Sequence, residues 1–329
     1  MIAIIDIGSN SIRLSVYEVG PNTDIRQVYR LKSVVGLAGY VNRKNILSEQ
    51  GVAEACDALI KFREALRCMD VSDTHVFATA SLRNILNTSQ AIEAVKRNTG
   101  FNVTVISGEE EAICDYMGAT NRTPMNNGLL VDIGGGSTEL VLCKNGNIER
   151  AASITVGSLN MFSKYVTRII PTKAQALKIE TETLKKLAVF NAKIKSIPTM
   201  CGVGGTMRAL CKLNNANFGD PEDNRTVSAG NAKKLCKMAE TDIRPLLPKI
   251  LQIMPERIHT ITPGLIILNT IIKKYGCKTI LVSESGVREG YLIRNVLRND
   301  ISKNSQPRRK RAPAKKGAKS PQAAKNYNK

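Results

Sequence analysis

Asp132 ends an apolar run and is followed by Ile133, three glycines, Ser137, Thr138 and Glu139 as a second apolar run begins. Gly134, Gly135 and Gly136 carry no side chains and accept positive φ, so their N–H groups can turn together toward a bound anion. A carboxylate placed like Asp132 can hold a hard cation through oxygen. Phosphate beside a divalent cation is the chemistry these residue types suit. Taken alone, the stretch also describes an ordinary glycine hairpin with an Asp closing its turn.

The stretch has a counterpart. Asp6, Ile7, Gly8 and Ser11 match Asp132, Ile133, Gly134 and Ser137 at a constant offset of 126 residues, and Leu14 and Val16 match Leu140 and Leu142. Self-similarity across half a chain implies two related units. With Ser9 and Asn10 completing the first loop, two facing D-I-G-x-x-S turns would grip one polyphosphate group from both sides.

Three further stretches bear on chemistry. Ser81-Leu82-Arg83-Asn84 follows an apolar run, which puts Arg83 at a strand-to-helix turn, a favoured place for anions; a solvated helix-start arginine is the alternative. Gly204, Gly205 and Thr206 follow the run Thr199–Val203 and open another helix, a third anion-binding candidate. Ser107-Gly108 precedes Glu109, Glu110 and Glu111. Acids in a first helical turn are stabilised by the helix dipole whatever else they do. They point three ways about the axis, so one or two at most can face a cleft.

These residues need a frame. Met1–Ile7 and Ile12–Val19 read as the first hairpin's strands, with further strands at Arg26–Val35, Thr74–Ala80 and Phe101–Ile106. Ser48 caps a helix to Met69 with Val52, Ala55, Leu59, Phe62 and Leu66 on one face. After the glycine hairpin come strands near Glu149–Val156, Thr199–Val203 and Thr279–Val282. Helices are expected at Ser158–Tyr165, Thr172–Ala188, Gly204–Leu213, Ile261–Tyr275 and Gly286–Leu297, with Asn214–Thr226 a polar loop. Asn121–Asn127 is the best boundary. The expectation is an α/β chain of two domains, residues 1–120 and 128–285, with the last helix (286–300) returning to the first. The tail 301–329 is too poor in apolar residues to fold.

A chain of 329 residues exceeds one typical core. Its net charge of +20 is uneven: residues 301–329 hold ten Lys or Arg and no acid, and the rest keeps a net +10. Such a balance suits a polyanion, whether nucleic acid, nucleotide or phosphate polymer. The eight cysteines are scattered with no C-x-x-C pair, so they read as reduced core residues of a cytoplasmic protein. No apolar stretch reaches membrane-spanning length, and Asp6, Asn10 and Arg13 interrupt the amino-terminal run, so neither signal peptide nor anchor is expected. Nothing sets the oligomeric state; a homodimer stays open.

The order D-I-G-S-N-S, T-A-S-L-R, S-G-x-E-E-A, D-I-G-G-G-S-T-E, G-G-T, P-G-L and R-E-G resembles the Ppx/GppA family of exopolyphosphatases and guanosine pentaphosphate phosphohydrolases, over about Ile2–Arg298. The resemblance implies two actin-like (ribonuclease H-like) domains with the site in the cleft between them, here in a short two-domain form. It implies that Glu111 is the catalytic carboxylate with Glu110 its acidic neighbour. Asp132 and Glu139, with Asp6 as the first-loop counterpart, match carboxylates associated with Mg²⁺ or Mn²⁺. Gly8, Ser9, Asn10 and Ser11, together with Gly134 to Ser137, match the phosphate loops, and Arg83 a phosphate-contacting arginine. Two positions depart from the pattern. Ile113 stands where the family usually has Arg, so a second cation is missing or comes from elsewhere; Ser283-Glu284-Ser285 replaces S-D-G. The implied reaction is hydrolysis of a terminal phosphoanhydride of polyphosphate or guanosine pentaphosphate. ATP-dependent phosphotransfer, or a non-catalytic polyphosphate-binding module, are the competing classes. The basic tail is expected to bind polyanions.

Overall fold

The computed structural model describes residues 1–21, 24–121, 123–190 and 196–298. The basic tail, expected to stay unfolded, lies outside them. The first sheet begins with β1 (Ile2–Ile7) and β2 (Ser11–Val19), paired antiparallel with Asp6 opposite Arg13, and continues to β3 (Ile25–Val34). Helix α1 (Glu49–Arg67) starts at Ser48, whose hydroxyl accepts from the Gly51 amide. Then follow β4 (Asp73–Ala78), parallel to β1, the single turn α2 (Ala80–Arg83), α3 (Thr88–Thr99), β5 (Val103–Val105) and α4 (Gly108–Thr120). The sheet order is β3-β2-β1-β4-β5.

The second unit repeats this plan. Strands β6 (Gly128–Ile133), β7 (Thr138–Lys144) and β8 (Asn147–Ile154) form its meander. Helices α5 (Ser158–Tyr165) and α6 (Lys173–Lys186), strand β9 (Thr199–Val203), helix α7 (Gly204–Phe218) and strand β10 (Thr226–Ser228) follow. Helices α8 (Ala229–Thr241), α9 (Leu247–Ile253) and α10 (Ile261–Tyr275) lead to β11 (Thr279–Val282). The order β8-β7-β6-β9-β11 is the first sheet's order again, with β10 added as an antiparallel edge. Each unit is thus actin-like. In the hairpin β6–β7, Asp132 faces Glu139, the positions equivalent to Asp6 and Arg13.

Alternation along β1 sets two cores. Ala3, Ile5 and Ile7 pack with Leu59 and Phe62 of α1, whereas Ile4 and Phe77 face the other way. There they meet α11 (Val287–Tyr291), which continues as a π-helical segment to Leu297. The Tyr291 ring stacks on Phe77 with centroids 4.4 Å apart. A register shift at Val16/Tyr17 sends Tyr17 to this second core, where its hydroxyl bonds Glu289. Helix α4 lies between the sheets: Cys114 joins the core under β1, and Ala112 and Ala119 pack on Leu130 and Val141. Helix α10, apolar on nearly every face, is the centre of the second core.

One stretch departs from the sequence expectation. Residues 214–218 were expected to open a polar loop but extend α7. Their amides are satisfied inside: Asn214 donates to Asp220 at 2.7 Å and accepts from Asn231 at 3.1 Å, so burial leaves no polar group unpaired. No helix among the described residues is long and apolar enough to cross a membrane.

Helix α4 can carry its acids between the sheets because α11 crosses it at backbone contact. A Cβ at Gly290 would overlap the Cys114 carbonyl, and one at Gly118 the Gly286 carbonyl. Gly290→Ala is therefore expected to lower unfolding stability by about 1–3 kcal/mol, as overpacking does. Urea denaturation checks this, and a wild-type midpoint would contradict the close crossing.

Candidate active site

The two glycine loops close with the same bond. Gly8 N donates to Ser11 O at 3.2 Å, and Gly134 N to Ser137 O at 3.0 Å. Both loops have their carbonyls taken up from behind. Those of Gly134 and Gly135 accept from the amides of Ser158, Leu159 and Asn160 at the start of α5, and Asn160 Nδ2 donates to Gly136 O at 2.7 Å. Ser9 O accepts from Ala38 N, and Asn10 O from Val35 N and Gly36 N. A trans peptide points its N–H opposite its C=O. The amides of Gly135, Gly136 and Ser137, and those of Asn10 and Ser11, are therefore directed away from these anchors. The loops meet almost face to face: a Cβ on Gly135 would lie 3.4 Å from Asn10 Cβ. Between them is a cleft lined by both loops, with Asp6, Arg13, Glu111, Asp132, Glu139 and Arg257 among its walls.

Glu111 enters from the first turn of α4. Burial pushes its carboxyl up to about 7, against the pull of Arg83 and with added repulsion from Asp6 and Asp132. Arg83 Nη1 bonds Glu111 Oε2 at 2.7 Å and Ile106 O at 3.2 Å. Its Nη2 reaches Ser153 Oγ at 3.4 Å, and Ser153 donates to Glu139 Oε1 at 2.7 Å. A chain of four side chains thus joins Glu111 to Glu139 across the two units.

Three expected site residues do not line the cleft. Arg83, expected on phosphate, has its guanidinium on Glu111, Ile106 and Ser153, where it holds the carboxylate. Glu110 turns back to accept from the Ser107 amide at 2.8 Å, completing a capping box that keeps its carboxyl below the usual range. Thr206 donates to Ile133 O at 2.8 Å and ties α7 to the strand under the loop. Gly204 and Gly205 do line the cleft, but as close-approach positions: a Cβ on Gly204, at φ 81°, would overlap the Asp132 carboxylate, and one on Gly205 the Arg257 guanidinium. The amino end of α7 thus lies against Asp132, where its dipole favours the charge.

Sequence reasoning missed Arg13, Arg257 and Ser153. Arg13 had a signal, since it occupies the position equivalent to Glu139 in the duplicated hairpin. Arg257 sits in a single turn after α9 with no motif around it. These arginines answer the question raised by Ile113: the cleft draws cations from elsewhere. Glu284 bonds Arg225 at 2.6 Å on the surface, outside the cleft.

The walls fit a hard divalent cation. Asp6, Asp132 and Glu139 offer oxygen, and no His or Cys lines the cleft. Desolvation raises all three carboxyls, Glu139 well above the usual range with Glu111 and Asp132 repelling it further. A cation would hold them ionised. Among the described residues no three His, Cys, Asp or Glu side chains form a ready chelate.

Fold and site together define an actin-like, two-unit protein with paired glycine loops and a buried carboxylate between them. The chain belongs to the Ppx/GppA phosphatase family, whose profile matches residues 15–299. It is 24% identical over 294 residues to a putative exopolyphosphatase of Haemophilus influenzae, covering 88% of this chain and 90% of that one. It is 29% identical over 310 residues to a guanosine-5'-triphosphate,3'-diphosphate pyrophosphatase of Aliivibrio fischeri, where it spans 58% of the longer relative. An exopolyphosphatase from Cytophaga hutchinsonii shares the fold, with a TM-score of 0.79 at 23% identity over 89% of this chain and 96% of that one. The Aquifex aeolicus PPX-GPPA enzyme aligns with a TM-score of 0.71 at 26% identity, covering 89% and 98%.

Arg83 lowers the Glu111 pKa by charge and hydrogen bond. Replacing it with Met is therefore expected to push that carboxyl above about 7 and move the acid limb of phosphate release to higher pH. A pH–rate profile checks the sign; a limb that stays or moves down would separate Glu111 from the rate.

Proposed function

We propose that this protein is an exopolyphosphatase, releasing orthophosphate from the end of inorganic polyphosphate. The observation that carries the proposal is the Glu111 carboxylate, buried beside two facing amide loops with a pKa near neutrality. A general base works best when its pKa lies near the working pH. The terminal phosphate occupies the loops, with amides on its equatorial oxygens. Glu111, held by Arg83, orients a water in line with the scissile bond and takes its proton. Arg13 and Arg257 neutralise the phosphates that follow. Asp132 and Glu139, with Asp6 nearby, would hold Mg²⁺ or Mn²⁺, which when bound supplies further charge neutralisation.

A second substrate, guanosine pentaphosphate, is favoured by the relatives named for guanosine-5'-triphosphate,3'-diphosphate hydrolysis. Its 5' end presents the same phosphoanhydride. Comparing phosphate release from long polyphosphate, tripolyphosphate and guanosine pentaphosphate in one Mg²⁺ buffer ranks the substrates. Release from none of them would refute both. The proposal includes a cytoplasmic setting, supported by eight cysteines that all stand free.

Glu111→Gln is expected to cut turnover by roughly two to four orders of magnitude while KM changes little. Because the base must be ionised, wild-type turnover is expected to fall about tenfold per pH unit below a midpoint near 7. A full-rate Glu111→Gln protein would move the base elsewhere. Ten basic residues in the tail point to capture of long polyanions. Deleting 302–329 is expected to weaken long-polyphosphate binding at low salt and to have little effect at high salt. Unchanged low-salt affinity would remove the tail from substrate capture.

A further inference from the structure

The two units diverge one strand further out as well. In the second, the row of facing residues across β6, β7 and β8 is Asp132, Glu139, Ser153. In the first, the same row across β1, β2 and β3 is Asp6, Arg13, Lys32. Residues directly opposite in an antiparallel pair project from one face of the sheet, with Cβ atoms about 5 Å apart. Arg13 lines the cleft, so Lys32 stands beside it on the edge strand, one strand spacing of about 4.8 Å further out.

Among the described residues Lys32 bonds one partner. Its Nζ donates to Glu256 Oε1 at 3.5 Å, and the two side chains stay 36% and 42% exposed. The bond runs between the units, because Glu256 lies in the turn Pro255–Arg257 that precedes α10. Its neighbour Arg257 lines the cleft and rests against Gly205 at the start of α7. Arg13 and Arg257 thus put two cations in the cleft wall, and Lys32 adds a third beside them, held by a carboxylate. A contact of that length between part-exposed groups is weak. A phosphate oxygen presented to the same ammonium can replace it.

We infer that Lys32 is a chain-length determinant, taking a phosphate beyond the one at Arg13 and exchanging Glu256 for it. This rests on the proposed hydrolysis and names the part of the substrate that reaches the sheet edge. In the empty cleft Glu256 keeps the ammonium in place; as a chain enters, the same carboxylate competes with it. A substrate of two phosphates ends before the row does and gains nothing from Lys32.

Isothermal titration calorimetry of the full-length protein with linear hexaphosphate and with pyrophosphate, at low salt without added metal, tests this. Lys32→Met is expected to weaken hexaphosphate binding about three- to tenfold, the range for one part-exposed charged contact, and to leave pyrophosphate binding unchanged. The loss should shrink as salt rises. Glu256→Gln is expected to tighten hexaphosphate binding, because the competing charge is gone. Opposite signs separate a substrate contact from a strut between the units, which either substitution would break alike. Lys61→Met, on the exposed side of α1 and across the sheet from the cleft, should match the wild type. No hexaphosphate binding by the wild type overturns the inference. So does a Lys32→Met protein that binds hexaphosphate normally, loses both compounds alike or shifts in the same direction as Glu256→Gln. Phosphate release in Mg²⁺ buffer is measured separately. The expected binding shifts with no release from any substrate refute the hydrolase proposal and leave the subsite. Release with hexaphosphate binding indifferent to Lys32 refutes the subsite alone.

Discussion

Desolvated negative charge is the constraint on which the molecule depends. Asp6, Glu111, Asp132 and Glu139 are drawn together around one cleft with Asp115 buried behind them, and burial pushes every one of these carboxyls upward. Two unit charges 4 Å apart interact by about 4 kcal/mol at an effective dielectric of 20, so the group cannot stay ionised without compensation. The surroundings supply it piecewise. Arg83 bonds Glu111, Arg13 stands across the hairpin from Asp6, Arg208 acts on Asp132, and the amino end of α7 abuts the same carboxylate. The amides of the two loops, turned away from their anchored carbonyls, add partial positive charge to the same space.

Duplication built the frame and divergence made it unequal. The two hairpins keep the same closing bond, strand order and Asp at the loop entrance. They differ at one facing position, where the first carries Arg13 and the second Glu139. One hairpin thus sets a cation against its own Asp, while the other doubles the negative charge. A symmetric pair of hairpins becomes a cleft with one cationic and one acidic wall.

The frame was legible because its signals are local. Alternation in β1, β6 and β9 and the unbroken apolar face of α10 read directly as strands and helix, and the repeat gave the pairing of loops. The two facing glycine loops could be named because glycine spacing is itself the signal. Arg257 and Ser153 could not, since each reaches the cleft through tertiary packing from a turn or strand with no motif. Arg83 was legible only by its strand-to-helix position; that its guanidinium bonds a buried carboxylate 2.7 Å away is a tertiary fact.

The chain Glu111–Arg83–Ser153–Glu139 makes the base depend on both units at once. Glu111 and Arg83 come from α4 and α2 beside the first sheet, Ser153 and Glu139 from β8 and β7 of the second. Helix α4 itself packs on both sheets, locked to α11 by backbone contact at Gly118 and Gly290. A relative shift of the units would loosen the Arg83–Ser153 contact at 3.4 Å before the 2.7 Å bonds at either end, because the longest bond in such a chain has least to lose. Arg83 would then hold Glu111 alone, and Ser153 would stay with Glu139 on the second unit. The bond that ties the position of the Glu111 carboxylate to the second unit is therefore the weakest in its chain.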